Sequence, residues 1–259
     1  MSKKIALVTG AASGMGRIYS QTLAAKGFHV AIMDLNEAGL AETATAAGDF
    51  SAYPCDISDT DSVLQQAAKI ESDLGPVDYM VHCAALMPAI SVMNETPAQV
   101  ERLTRINYIG TINLIEATLK PMVKRDSGTC VFFGSIAGEA LVPNMANYCA
   151  TKAAVNAYIE SVTEELKIAG SKVQVTLVKP PAVNTPLVDQ TLETETPGSI
   201  KSAKETGRLA DPADIVAQIE RKVAQGKNVV YPGSARMLRF WHFFFPGLWW
   251  KTVGSFEKQ

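Results

Sequence analysis

The sequence predicts an α/β fold: one doubly wound parallel sheet of about seven strands with helices on both faces. Three observations predict it. Strand-like and helix-like segments alternate from the start of the chain. A glycine-rich turn joins the first apolar run to a helical pattern. The middle apolar runs lack polar alternation, as strands buried on both sides do. With 259 residues, 47% of them hydrophobic and 19% charged, the chain can build one large core, and the composition excludes a disordered protein.

The expected strands are 4–9, 28–33, 51–54, 77–83, 129–134, 172–178 and 228–231. Helical patterns lie between them, such as Val63, Ala67, Ile70 and Leu74 at spacings of four, three and four. No repeat, low-complexity tract or Pro/Gly linker divides the chain, so residues 1–235 read as one domain followed by an aromatic extension, 236–259. Residues 186–207 are polar and threonine-rich, with Pro197 and Gly198, and read as a mobile lid rather than a core element.

A net charge of −2 gives no reason to expect a nucleic-acid partner. Cys55, Cys83, Cys130 and Cys149 have no paired spacing, so no metal site is expected and reduced thiols are the plain reading. Met1 to Lys4 is too short for a secretory signal, and a cytoplasmic location is the expectation.

The first turn is Thr9-Gly10-Ala11-Ala12-Ser13-Gly14-Met15-Gly16, directly after the strand Ile5-Ala6-Leu7-Val8. Glycines there let backbone N–H groups approach a diphosphate, and the helix N-terminus adds orphan donors and partial positive charge. The spacing is neither G-x-G-x-x-G nor a P-loop, and an ordinary tight turn could carry the same glycines. Asp34 ends the second strand, where a carboxylate accepts hydrogen bonds from both ribose hydroxyls and repels a 2′-phosphate. That favours NAD. Arg17, at the start of the first helix, keeps NADP as the alternative.

Tyr148 and Lys152 stand four apart in the stripe Tyr148, Lys152, Val155, Ile159, Val162, Leu166 of one helix, and Ser135 ends the strand Cys130-Val131-Phe132-Phe133. Ionising a tyrosine near pH 7 needs roughly 4 kcal/mol. An ammonium about 4 Å away supplies a similar amount at an effective dielectric of 20. Such a tyrosinate can take an alcohol proton as hydride leaves the carbon.

These residues resemble the short-chain dehydrogenase/reductase family over about residues 4–232. Thr9 to Gly16 is similar to its TGxxxGxG turn, and Tyr148 to Lys152 to its YxxxK motif. The resemblance implies a Rossmann-type NAD(P)-binding catalytic domain. It implies Tyr148, Lys152, Ser135 and Asn107 as the catalytic set, with Asn107 holding a proton relay. It gives the cofactor Gly10, Ser13, Gly14, Met15, Gly16, Asp34, Asp56, Ile57, Cys83, Ala84, Ala85, Pro180, Val183 and Thr185, besides Tyr148 and Lys152. It also implies a homo-oligomer, dimer or tetramer, paired through helices around 97–125 and 147–169. Two segments depart from the family pattern. Its NNAG stretch is His82-Cys83-Ala84-Ala85, where His82 reads as structural, and its Pro-Gly is Pro180-Pro181.

Residues 236–250 hold Phe240, Trp241, Phe243, Phe244, Phe245, Trp249 and Trp250, including all three tryptophans of the protein. Arg236, Arg239, His242 and Pro246 interrupt the run, so it does not read as a span. Its partner is the substrate cleft, a sister subunit or a membrane surface. The combined expectation is an NAD-dependent oxidoreductase interconverting a lipophilic secondary alcohol and its ketone, with peripheral membrane contact through 236–250 as one possibility. Leu86, Met87, Leu141, Val142 and Met145 are the expected apolar cleft residues. The alternatives are an NADPH-dependent carbonyl or 3-oxoacyl reductase and a non-catalytic nucleotide-binding scaffold.

Overall fold

Apolar and β-branched runs become seven strands in the computed structural model, which describes residues 3–257. They are β1 (Ile5–Thr9), β2 (His29–Asp34), β3 (Asp49–Pro54), β4 (Val77–His82), β5 (Thr129–Phe133), β6 (Gln174–Val178) and β7 (Val229–Val230). All pairings are parallel and the order is β3-β2-β1-β4-β5-β6-β7. The seven strands fall where the alternation put them, with ends displaced by one or two residues. Residues 1, 2, 258 and 259, at the ends of the stretches 1–235 and 236–259, lie outside the described residues.

Strand order runs outward from β1 in one direction, then resumes at β4 and runs the other way. A crevice therefore opens beyond the carboxyl ends of β1 and β4, the place where open α/β sheets bind ligands. Alternate side chains feed two cores. Leu7, Met80, Phe132 and Leu177 face the helices Thr60–Leu74 and Ala146–Ile168 and the long helical stretch that begins at Pro97. Val8, Ile32, Val131 and Val178 face Tyr19 and Leu23 of Gly14–Ala25 and Ile215 and Ile219 of Pro212–Ala224.

The helical stretch from Pro97 starts with a reciprocal cap between Thr96 and Gln99 and runs on to Lys124. It contains two π turns, in which Gly110 N donates to Arg105 O and Lys120 N to Ile115 O, five residues back. Asn107 sits in the first of them.

Residues 186–207, marked by the sequence as a mobile lid, carry regular structure. They form the helices Pro186–Leu192 and Gly198–Glu205, and Thr191 is buried. The threonine hydroxyls that made the segment look solvent-seeking bond to backbone carbonyls, within the segment and in the loop after β4. Thr191 donates to Leu187 O (2.9 Å) and Met87 O (2.5 Å), and Thr194 to Thr191 O (2.8 Å). The aromatic extension is a helical hairpin, Ala235–Phe244 and Pro246–Phe256. Among the described residues no helix is long and apolar enough to cross a membrane.

Candidate active site

The glycine turn packs directly on the loop after β4. A Cβ on Gly10, whose φ is +67°, would lie 2.7 Å from Ala84 N, and one on Gly16 would lie 2.0 Å from Gly10 O. Both positions must be glycine for the turn to close. Beneath it, Thr9, His82 and Thr111 are buried and linked: Thr9 Oγ1 lies 2.7 Å from His82 Nδ1, and His82 Nε2 3.1 Å from Thr111 Oγ1. Ala84 N donates to Thr9 Oγ1, and Thr111 Oγ1 donates to Asn107 O at 2.8 Å. One tautomer satisfies every group, with the proton on Nε2 and Nδ1 accepting from Thr9. Burial pushes His82 down to about 3, so the ring is neutral. Its structural reading from the sequence agrees with this geometry.

Asp34 closes the outer end of the cleft. Its carboxylate accepts from Ala12 N (3.1 Å) and Asn36 N (3.0 Å), which fixes it at the tip of β2. Arg17 does not turn toward it. The guanidinium donates to Ala12 O, Gly39 O (3.3 Å), Thr43 Oγ1 (3.0 Å) and the Glu42 carboxylate (2.9 Å), tying the turn to the second helix.

Gly10, Ser13, Gly14, Met15, Gly16, Asp34, Asp56, Ile57, Cys83, Ala84, Ala85 and Thr185 line one cleft of about 570 Å³. Ser135, Tyr148, Lys152, Pro180 and Val183 line a second cavity of about 370 Å³. The two meet at Met15, Cys83, Ala85 and Thr185, which line both. A dinucleotide fits the chemistry of this pair: close-approach glycines at one end, a carboxylate at the tip of β2, and a phenol beside an ammonium in the second cavity. Asn107 lines neither. Its amide accepts from Leu86 N (2.9 Å) and donates to Leu86 O (2.9 Å) and Thr151 Oγ1 (3.2 Å), clamping the loop after β4 to the helix Ala146–Ile168.

Ser135 caps a short turn, Ile136–Gly138, with its Oγ accepting from Ala137 N at 3.0 Å. Asn156 holds the serine by its backbone, donating to Ser135 O (3.0 Å) and accepting from Ser135 N (3.4 Å). Gly134 and Gly138 make room for that amide; a Cβ on Gly134 would meet Asn156 Oδ1 at 2.0 Å. Sequence reasoning missed Asn156. The available signal was a polar residue at i+4 from Lys152, beside Val155 and Ile159 of the inward stripe.

Tyr148 and Lys152 are both buried on Ala146–Ile168. Lys152 Nζ donates to Phe133 O (2.9 Å) and lies 6.0 Å from the Tyr148 ring centre. Burial pushes the phenol up to about 12, with the neighbouring Ser135 hydroxyl acting against the rise. Burial also pulls the ammonium down to about 8. The sequence-based sum of charges therefore needs correction. It counted the attraction of the ammonium but not the desolvation of both groups, which here is the larger effect.

The cavity beyond Tyr148 is apolar. Met87, Val142 and Met145 line it as expected, whereas Leu86 lines the outer cleft instead. Leu141 is partly exposed, and its carbonyl accepts from Trp249 Nε1 at 2.8 Å. Leu238, Trp249, Val253 and Phe256 of the aromatic hairpin complete the wall. The hairpin is anchored through Arg239, which pairs with Glu139 at 2.8 Å. Glu139 also takes the buried Lys179 ammonium and the Tyr231 hydroxyl (3.0 Å), and Lys179 reaches Glu160 as well.

A dinucleotide cleft opening onto a Ser-Tyr-Lys cavity defines the nicotinamide-linked oxidoreductase class. The profile of the short chain dehydrogenase family matches residues 4–196, and the chain belongs to that family. It is 30% identical over 226 residues to the 2,3-dihydro-2,3-dihydroxybenzoate dehydrogenase of Bacillus subtilis, covering 82% of this chain and 85% of that one. It is 29% identical over 194 residues to the fatty acyl-CoA reductase of Acinetobacter baylyi; the match takes in 73% of this chain but only 65% of that protein. Its fold superposes on a short chain dehydrogenase from Burkholderia phymatum in complex with NAD, with a TM-score of 0.82, 21% identity and 93% of each chain covered.

Proposed function

We propose that the protein is an NAD-dependent oxidoreductase that interconverts a lipophilic secondary alcohol and its ketone. The observation that carries this is the sharing of one cavity by Ser135, Tyr148 and Lys152 where it meets the glycine-turn cleft. NAD, when bound, supplies the hydride acceptor. The Ser135 hydroxyl holds the substrate oxygen, and Tyr148 Oη takes its proton in oxidation and returns it in reduction. Lys152 favours the tyrosinate and binds ribose, working against the burial that holds the phenol neutral. Asn107 and Asn156 position the loop after β4 and the serine turn.

Two features support NAD over NADP: the carboxylate of Asp34 faces the cleft, and the cation nearest the turn, Arg17, is held by four acceptors. The apolar wall supports a lipophilic substrate, as does the likeness to a fatty acyl-CoA reductase. The same likeness favours a second reading, an NADPH-dependent reductase of acyl carbonyls. We also propose a homo-oligomer.

Initial rates with NAD and NADP over a series of secondary alcohols of increasing apolar size test the reading. NAD with the larger alcohols should be fastest, and Tyr148→Phe should lower kcat about 10²–10⁴-fold. A wild-type preference for NADPH, or for small polar alcohols, would overturn it.

A further inference from the structure

The aromatic hairpin is apolar on both sides. Its inner side, with Leu238, Trp249 and Val253, is spent on the substrate cavity. Its outer side is not covered: Phe243 is 73% exposed, Phe244 59%, Phe240 51%, Leu248 45% and Trp250 45%. These rings pack against one another, Phe240 on Phe244 at 4.8 Å and Phe243 on Phe244 at 5.0 Å, so they form one surface rather than scattered side chains. At roughly 200 Å² per aromatic side chain, half-exposure of about eight large apolar groups leaves roughly 800 Å². That exceeds the roughly 300–600 Å² of a typical largest patch. A helix apolar all round needs an apolar medium on its second side as well.

The charges around the patch select that medium. Arg236 and Lys251 are exposed and, among the described residues, form no ion pair, whereas Arg239 is engaged by Glu139. The one acid described in the hairpin, Glu257, accepts from Gly198 N at 2.8 Å. The hairpin is thus locally cationic on a chain of net charge −2. A second copy paired through the same face would set one cationic face against another, whereas a bilayer interface with anionic headgroups receives both the rings and the cations. The helices, of 10 and 11 residues, are each roughly 16 Å long against a hydrocarbon core of about 30 Å, so they lie in the plane of the interface and do not span it.

We propose that the outer face of the hairpin docks on the surface of an anionic bilayer, setting the wall of the apolar cavity against the lipid phase. The docking does not depend on the identity of the substrate or cofactor. Its test is co-sedimentation with vesicles of phosphatidylcholine alone and of phosphatidylcholine carrying about 30% phosphatidylglycerol. The wild-type chain should sediment with both, more strongly with the anionic vesicles, and its tryptophan emission should move to the blue. F243E/F244E, on the side away from the cavity, should lose about tenfold or more of the partition while melting near the wild-type temperature. R236E/K251E should lose the preference for anionic vesicles. The proposal is overturned if the wild type stays in the supernatant with both vesicle types, or if F243E/F244E binds as the wild type does. It is equally overturned if the only change in F243E/F244E is a lower mass by sedimentation velocity, which would give the face to a second copy.

Discussion

Lys152 is held where its charge is least comfortable. Its ordinary value of 10.5 falls to about 8 through burial, so the unfolded chain binds more protons than the folded one between those values. Stability from this group is therefore lost as pH falls through 8 and recovered as it rises toward 10.5. Lys152→Met removes a buried ammonium, although it also deprives Phe133 O of a donor. Urea unfolding at pH 7 should show the variant more stable by about 1–2 kcal/mol, with the gain gone near pH 10.5 and turnover abolished throughout. A variant less stable than wild type at pH 7 would contradict the burial argument. His82 gives the complementary case. Its two bonds join three separate elements, so His82→Phe should cost about 2–3 kcal/mol by stranding the buried hydroxyl proton of Thr9 and removing the donor to Thr111, whose own hydroxyl still reaches Asn107 O; the urea midpoint measures it. That Tyr148, Lys152 and Ser135 share one cavity was legible because it rests on residue type and spacing. The role of Asn156 was not, since one buried amide in a helix has no periodic signature. The direction of the Tyr148 shift was hidden for a related reason: spacing states which charges are near and says nothing of how much water is excluded.

Among the elements, the strands and the helix 146–168 were readable because long apolar runs and a single stripe leave few alternatives. The segment 186–207 was not, because threonine hydroxyls that cap and back-bond inside helices look the same in sequence as hydroxyls in open loops. Just past β6, Lys179 joins Arg239 of the hairpin on Glu139, which ends the turn Ile136–Gly138. Burial pulls the Lys179 ammonium down, but the hydrogen bonds and charges of Glu139 and Glu160 outweigh it and hold the group above its ordinary value. Removing that cation by Lys179→Met leaves Glu139 facing only Arg239 and Tyr231. The expected loss is about 2–4 kcal/mol, read from the urea midpoint. Trp249→Ala removes part of the wall together with the bond from Nε1 to Leu141 O. If the proposed apolar alcohol is the substrate, its KM should rise about tenfold while kcat changes little, because the ring contributes apolar area to the cavity and carries no proton-transfer group. A kcat effect equal to the KM effect would assign the hairpin a part in the chemistry itself.

For the molecule as a whole, the reversal of strand order between β1 and β4 decides where chemistry can occur. Sedimentation equilibrium is expected to return a multiple of the 27.8 kDa chain mass; a mass of one chain at micromolar concentration would remove the proposed oligomer. The same reversal leaves the opposite rim, at the amino ends of the strands, with no part in either cavity. Gly27, Gly75, Gly170 and Gly226 sit on that rim ahead of β2, β4, β6 and β7, and a Cβ added to any of them meets nothing within 4 Å. Each has a positive φ, between +68° and +105°, so the glycines themselves must stay; a tag, a fluorophore or a peptide inserted beside them would travel with the enzyme on the rim away from its working edge.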